Sequence, residues 1–298
     1  MSSGDLIADR RFGWARELEA KGDLAGAAGL MAQTLERAPG YAAAWFALAQ
    51  LRERLGNKGG AIVALRQAVQ ADPADRHGAT LHLVRLGAAP TAAVPDAYLR
   101  ALFDGYAANF DEALTQGLSY RAPELLLHAV ETARAGQMKF GAVLDLGCGT
   151  GLTGAAFRPF SDRMVGVDLS PAMLTKAHDK GIYERLIESE ALAFLRGEPG
   201  AHYDLILAGD VFVYFDDLQP VLVAGARLLA PKGLIAFSVE THDGDGVILR
   251  QTLRYAHGAA HVRAAVQAAA LTLVSLDSAA TRTEKRTPVP GLIVVAAR

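Results

Sequence analysis

From Phe140 to the end of the chain, short apolar runs alternate with amphipathic stretches, and this alternation constrains the fold more than any other feature. AVLDL is followed by GLTGAAFRPF, RMVGVDL by SPAMLTKAHDKG, and YDLILAG by DDLQPVLVAGARLLA; GLIAFSVE comes next. Strands separated by helices imply βαβ units, because a parallel neighbour is reached only through a crossover. After a long irregular piece come a helix near Ala259 to Ala270 and two strands, LTLVSLDS and LIVVAAR, with no helix between them. Such a pair runs antiparallel, so the expected sheet is mixed.

The first part of the chain follows another grammar. A shift of 34 residues aligns Gly22 with Gly56, Ala27 with Ala61, Pro39 with Pro73, Ala15 with Ala49 and Leu35 with Val69. Each unit reads as two helices, Arg11 to Ala20 with Leu24 to Arg37, then Tyr41 to Leu55 with Lys58 to Ala71. The glycines fit turns that need positive φ, the alanines allow close helix approach, and the prolines end each unit. This pattern resembles the tetratricopeptide repeat. Trp45, Leu48, Ala49, Gly56, Ala61, Ala68 and Pro73 fall on its motif, while Arg11 stands where an aromatic is usual. A half-unit, Arg76 to Leu86, follows. The repeats serve either as a groove for a protein or carrier partner, or only to cover or dimerise the second domain. Pro90 to Pro95 reads as a linker and Tyr98 to Ala133 as helical. The expected organisation is a repeat domain over 1–88, a linker and helical cap over 89–139, and an α/β domain over 140–298.

Composition bounds the class. Among 298 residues, 51% are apolar and 21% charged, too apolar for disorder. Thirty basic against thirty-two acidic side chains leave −2, so no global field favours nucleic acid or an acidic membrane. Cys148 is the single cysteine, which excludes an internal disulfide, and no apolar run reaches the length of a membrane span. Met1 to Arg10 does not read as a signal peptide. A cytoplasmic protein is expected.

The first strand of the α/β part runs into Asp145-Leu146-Gly147-Cys148-Gly149-Thr150-Gly151. Alternate glycines let the backbone turn sharply and approach a ligand, and the helix starting near Leu152 points its N-terminus there. The second strand ends in Asp168, 23 positions after Asp145. A carboxylate at that point can accept from both hydroxyls of a ribose. Ser170 then caps a helix that Pro171 opens.

VLDLGCGTG followed by VGVDLSPAMLTKA resembles a class I S-adenosylmethionine-dependent methyltransferase, and the likeness continues to Arg298. With the repeats, the chain is similar to a bacterial group of such proteins, which the stretches FDGYAANFDEAL, RYAH and EKRTPVPGLIVV also resemble. The resemblance implies a Rossmann-like seven-stranded mixed sheet, preceded by the all-α repeat domain, with S-adenosylmethionine as cofactor. It implies that Asp145 and the Gly147, Cys148, Gly149 and Gly151 loop face the methionine part, and that Asp168 with Leu169 holds the ribose. Met173 would pack on the adenine, and Glu190 with the Ala191 backbone would take its edge. Glu190 departs from the commoner Asp. Tyr106, Phe110 and Tyr120 precede the first strand and would either close the pocket or form interdomain core. Cys148 reads as a small filler, since no activating His adjoins it.

The acceptor should lie beyond the carboxyl ends of the strands. Asp210 ends the fourth strand, where relatives line the methyl site, and Tyr214 could turn its hydroxyl inward. His257 is a candidate base by its titration range. Arg250 and Arg254, four apart, would share one face if helical and could recognise an anionic acceptor, or form a solvated face. HGAAH, from His257 to His261, has metal-ligand spacing but lacks the Glu of H-E-x-x-H, so no metal is expected. The function expected is methyl transfer to an oxygen or nitrogen of a small, or carrier-bound, acceptor, with no nucleic acid or membrane partner and homo-oligomerisation left open. The alternative is a repeat scaffold with a non-catalytic or nucleotide-sensing domain. A remote one is an NAD(P)-dependent oxidoreductase, because Gly149, Gly151 and Gly154 satisfy G-x-G-x-x-G. Against it, Asp145 and Gly147 precede the first of those glycines, and no second nicotinamide-type half follows.

Overall fold

The computed structural model describes every residue except Met1, Ala113, Thr115, Gln116, Ala201 and Lys285. Ala113 and Lys285, within two of the family-like stretches, therefore lie outside the described residues. The chain divides into two compact units, Met1–Tyr98 and Leu99–Arg298.

The first unit holds α1 (Leu6–Ala20), α2 (Leu24–Arg37), α3 (Ala42–Arg54), α4 (Lys58–Ala71) and α5 (Ala79–Arg85). The 34-residue period has a visible cause. Asp23 caps α2 by accepting from the Gly26 N–H at 2.8 Å, and Asn57 caps α4 by accepting from Gly60 at 2.8 Å. A Cβ at Gly26 or Gly60 would run into its capping side chain. Gly22 and Gly56 make the turns at φ +87° and +77°. Ala15, Ala27, Ala49 and Ala61 are all buried, as close helix packing requires.

The second unit begins within α6 (Asp96–Tyr106), followed by a turn at Ala107–Asn109, α7 (Phe110–Glu112) and α8 (Ala122–Ala133). The alternating part follows: β1 (Phe140–Leu146), α9 (Leu152–Phe157), β2 (Ser161–Asp168), α10 (Pro171–Asp179), β3 (Arg185–Glu188), α11 (Ala191–Gly197), β4 (Tyr203–Ala208), α12 (Gln219–Leu228) and β5 (Leu229–Glu240). The chain ends with β6 (Val247–Leu249), β7 (Tyr255–His257), α13 (Ala259–Ala268), β8 (Thr272–Ala279), a small ribbon of β9 (Thr283–Glu284) and β10 (Thr287–Pro288), and β11 (Gly291–Ala297).

The main sheet has the order β3-β2-β1-β4-β5-β11-β8. Its first five strands are parallel, and β11 is antiparallel to both β5 and β8. This is the seven-stranded mixed sheet expected from the sequence. Alternate residues serve opposite layers, because strand side chains have period two. Leu144, Ile206, Phe237 and Val294 pack in one apolar layer, and Val143, Leu205, Ala236 and Ile293 in the other, with Leu126 and Val130 of α8. Asp204 accepts from the N–H groups of Gly141 and Ala142 at 2.7 and 3.0 Å, tying the start of β1 to β4.

One expectation needs correction. The piece from Thr241 to Gly258 does not place Arg250 and Arg254 on a helix face. It folds back on itself as antiparallel β6 and β7, and the Arg250 N–H donates to the Arg254 carbonyl at 2.9 Å. β7 joins β5 in parallel at the Glu240–Ala256 pair. No helix among the described residues is long and apolar enough to cross a membrane.

Candidate active site

β1 and β2 deliver Asp145 and Asp168 to the same edge of the sheet, with the glycine loop between them. Gly147, Gly149 and Gly151 take φ of +58°, +53° and +90°, a region that side chains disfavour. A Cβ at Gly147 would strike Val211, whereas one at Gly149 would meet only the Phe110 ring, at 3.8 Å. The Asp168 carboxylate accepts from the Gly149 and Ser170 N–H groups, both at 2.8 Å, so it holds the loop against the end of β2. Ser170 caps α10 and donates to Asp104 of α6 at 2.5 Å. Thr150 donates to Asp111, which Lys180 also pairs at 2.8 Å. These bonds fasten the α6–α7 segment beside the loop.

Sequence reasoning missed Tyr183, which carries no motif. Its hydroxyl donates to Asp145 Oδ2 at 2.6 Å. The ring occupies a cradle of glycines: a Cβ at Gly154 would collide with it, and one at Gly151 or Gly166 would come within 3.1 or 3.0 Å. The missing side chains at Gly154 and Gly166 were the available signal. Burial pushes the Asp145 carboxyl up to about 7, against the Tyr183 hydrogen bond, with Asp168 adding to the rise. Burial also raises Asp168, Tyr183 and the Cys148 thiol. Cys148 fills space beside Gly166.

On the far side of β2, Met173 is fully buried in the first turn of α10. Glu190 caps α11, its Oε1 accepting from Leu192 at 2.8 Å and its Oε2 from Ala193 at 2.6 Å, and Ala191 begins that helix. Leu169 is half-buried, and Tyr106 is 58% exposed at the end of α6.

At the end of β4, Gly209 lets the chain pass close to Thr153 and Tyr120; an added Cβ would sit 2.8 Å from Thr153 Oγ1 and 3.4 Å from the Tyr120 hydroxyl. Asp210 follows at φ +56°, a conformation uncommon outside glycine. Ser238 both accepts from the Asp210 N–H at 2.8 Å and donates to its carboxylate at 2.9 Å. Burial, with Asp210 and Asp145 nearby, holds the Tyr120 phenol well above its ordinary range. Tyr214 stands between Phe103, edge-to-face at 5.7 Å, and the Arg254 guanidinium, 5.4 Å from its ring centroid.

A buried ionic cluster, invisible to motif reading, adjoins these groups. Arg282, 2% exposed, pairs with Glu240 at 2.5 Å, Glu284 at 2.7 Å and Asp210 at 3.4 Å. Arg250 and Arg254 meet Glu240 at 3.3 and 3.7 Å. His257 is fully buried in β7, stacked on His261 with centroids 5.6 Å apart. Burial, then His261, pushes it down to about 4. A shallow cavity lined by Arg163, Glu184, Arg185 and His202 opens at the amino ends of the strands, the edge away from these groups.

The donor set fits a cationic nucleoside. Among the described residues neither Asp145 nor Asp168 has an ion-pair partner, and a Cβ at Gly149 would be in ordinary contact with the Phe110 ring alone. Two adjacent buried carboxylates without a cation favour a ligand that brings positive charge and hydroxyl donors.

Comparison with known proteins agrees with this geometry. Residues 144–235 match a methyltransferase domain family, and residues 18–83 match the tetratricopeptide repeat. The chain is 36% identical over 179 residues to human Methyltransferase-like protein 27, spanning 58% of this chain and 70% of that protein. It is 32% identical over 102 residues to a malonyl-(acyl-carrier protein) O-methyltransferase of Acetivibrio thermocellus, covering 34% of this chain and only 36% of that enzyme. Among solved structures, the 1,6-didemethyltoxoflavin-N1-methyltransferase of Burkholderia thailandensis shares the fold, with a TM-score of 0.54 at 21% identity over 70% of this chain and 92% of that one. The chain belongs to the class I S-adenosylmethionine-dependent methyltransferases, with a tetratricopeptide-like helical region ahead of the catalytic fold.

Proposed function

We propose that the protein transfers the methyl group of S-adenosylmethionine to an oxygen or nitrogen of a small acceptor. The observation that carries this reading is the joint placement of Asp145, the glycine loop and Asp168 at one sheet edge, with Asp210, Tyr120 and Tyr214 beside them. In this reading Asp145 accepts from the cofactor ammonium, the Gly147–Gly151 backbone lies against its methionine portion, and Asp168 accepts from the ribose. Met173 and the Ala191 backbone border the adenine. Glu190 reaches the adenine amino group only through lone pairs that α11 leaves unused.

The cofactor supplies a sulfonium methyl whose positive charge disappears during transfer. The protein's task is therefore alignment and exclusion of water rather than charge donation. Phe103, Phe110 and Tyr214 form an apolar wall that serves this exclusion, the Phe103 ring centroid lying 6.2 Å from that of Phe110 and 5.7 Å from that of Tyr214. Asp104 and Asp111 anchor the wall to α10 and the loop. The repeat region supplies a protein-binding surface in this scheme, consistent with a carrier-bound acceptor.

Isothermal calorimetry with S-adenosylhomocysteine tests the reading. Saturable binding is expected. Asp168→Ala should weaken it by about 10–100-fold, the loss of hydrogen bonds to a charged acceptor. No heat with the intact protein would remove the enzymatic reading.

A further inference from the structure

The acceptor side of the site holds three arginines around the buried Glu240 carboxylate, and they are not equivalent. Arg282 is consumed by Glu240, Glu284 and Asp210. Arg250 donates to the Thr241 carbonyl and faces Glu240. Arg254 differs. Its Nη1 is buried without a hydrogen bond, 3.7 Å from Glu240, while the side chain keeps 23% of its surface exposed beside Tyr214. A buried guanidinium N–H with no acceptor is costly, and a carboxylate matches its fork.

Among the described residues the same region offers no free base. Asp210 is bound by the Ser238 hydroxyl and approached by Arg282. His257 is fully buried, and burial suppresses ionisation of Tyr120. An alcohol or phenol would have to lose a proton to such a base, whereas a carboxylate needs none. An amine offers the Arg254 guanidinium no carboxylate oxygens to accept from its fork.

Resting on the methyltransferase reading above, we propose that the acceptor is a carboxylic acid on an apolar body, its carboxylate held by Arg254 and its body against Phe103, Phe110 and Tyr214. A lone pair of the carboxylate oxygen forms the new O–C bond, and the C–S bond breaks with its electrons going to sulfur. The products are a methyl ester and S-adenosylhomocysteine, the negative and positive charges cancel, and no proton moves.

The test uses the full chain saturated with S-adenosylhomocysteine and paired probes: benzoate with benzamide, phenylacetate with phenylacetamide, hexanoate with hexanamide. At least one acid should raise the melting temperature further while its amide does not. Arg254→Gln should abolish that shift and keep the one caused by S-adenosylhomocysteine, which also reports that the variant is folded; Arg254→Lys should keep part of it. With methyl-labelled S-adenosylmethionine and the same acids, the product label should be released as methanol by alkali. Equal shifts from acid and amide, an acid shift surviving in Arg254→Gln, no shift with any acid, or an alkali-stable product would each overturn the proposal. Failure of S-adenosylhomocysteine itself to bind would instead strike the underlying reading, so the two failures are told apart.

Discussion

Among the described residues Tyr183 is the one side-chain donor to Asp145, and burial holds this carboxyl up to about 7. The unfolded chain ionises this group first, near 3.8, so without ligand it costs stability as pH rises from there to about 7. A cofactor ammonium reverses that preference. The increase in melting temperature caused by S-adenosylhomocysteine should therefore grow as pH rises through about 7, and stay flat in Asp145→Asn; thermal scans across pH check this. His257 has the opposite sign. Its folded value of about 4 lies below the ordinary 6.5, so its stabilising effect is complete above 6.5 and is lost as pH falls toward 4. His257→Leu should flatten that acid limb in urea titrations. Asp145 and Asp168 were legible in the sequence because strand ends and glycine spacing announce them. Tyr183, Glu240 and Arg282 were not, because their partners are distant along the chain.

Among the elements, the turn from β1 into α9 is shaped by a side chain from outside it. Gly154 lies in α9, and a Cβ there would collide with the Tyr183 hydroxyl. Gly154→Ala should lower stability by about 1–3 kcal/mol, the usual range for overpacking, and weaken S-adenosylhomocysteine binding. Combining it with Tyr183→Phe, which removes the colliding oxygen, should recover part of the melting temperature. The same glycine completes G-x-G-x-x-G in the sequence, so a motif match here marks room for a tyrosine. The β6–β7 hairpin is a second case. Their spacing would have put Arg250 and Arg254 on one face had the segment been helical; instead, pairing with the end of β5 brings both to Glu240.

For the whole molecule, the division at Tyr98 and Leu99 leaves every proposed site residue, from Phe103 to Arg282, in the second unit. Residues 99–298 expressed alone should bind S-adenosylhomocysteine within about threefold of the full chain, a difference below about 1 kcal/mol, by calorimetry. A larger loss would mean that the repeats support the site. The first unit displays Leu6, Ile7, Trp14, Leu55 and Val63 as exposed apolar side chains.

Local physics was enough for the sequence to determine the elements and their order. Apolar period, glycine turns, caps and the 34-residue repeat act between residues close along the chain, and the helix-free last pair of strands makes the sheet mixed. The ionic cluster around Glu240, the cradle of Tyr183 and the burial of His257 were decided only by tertiary structure. Each depends on which distant side chains share a low-dielectric interior, where one unmatched charge or one extra methyl group outweighs any local preference.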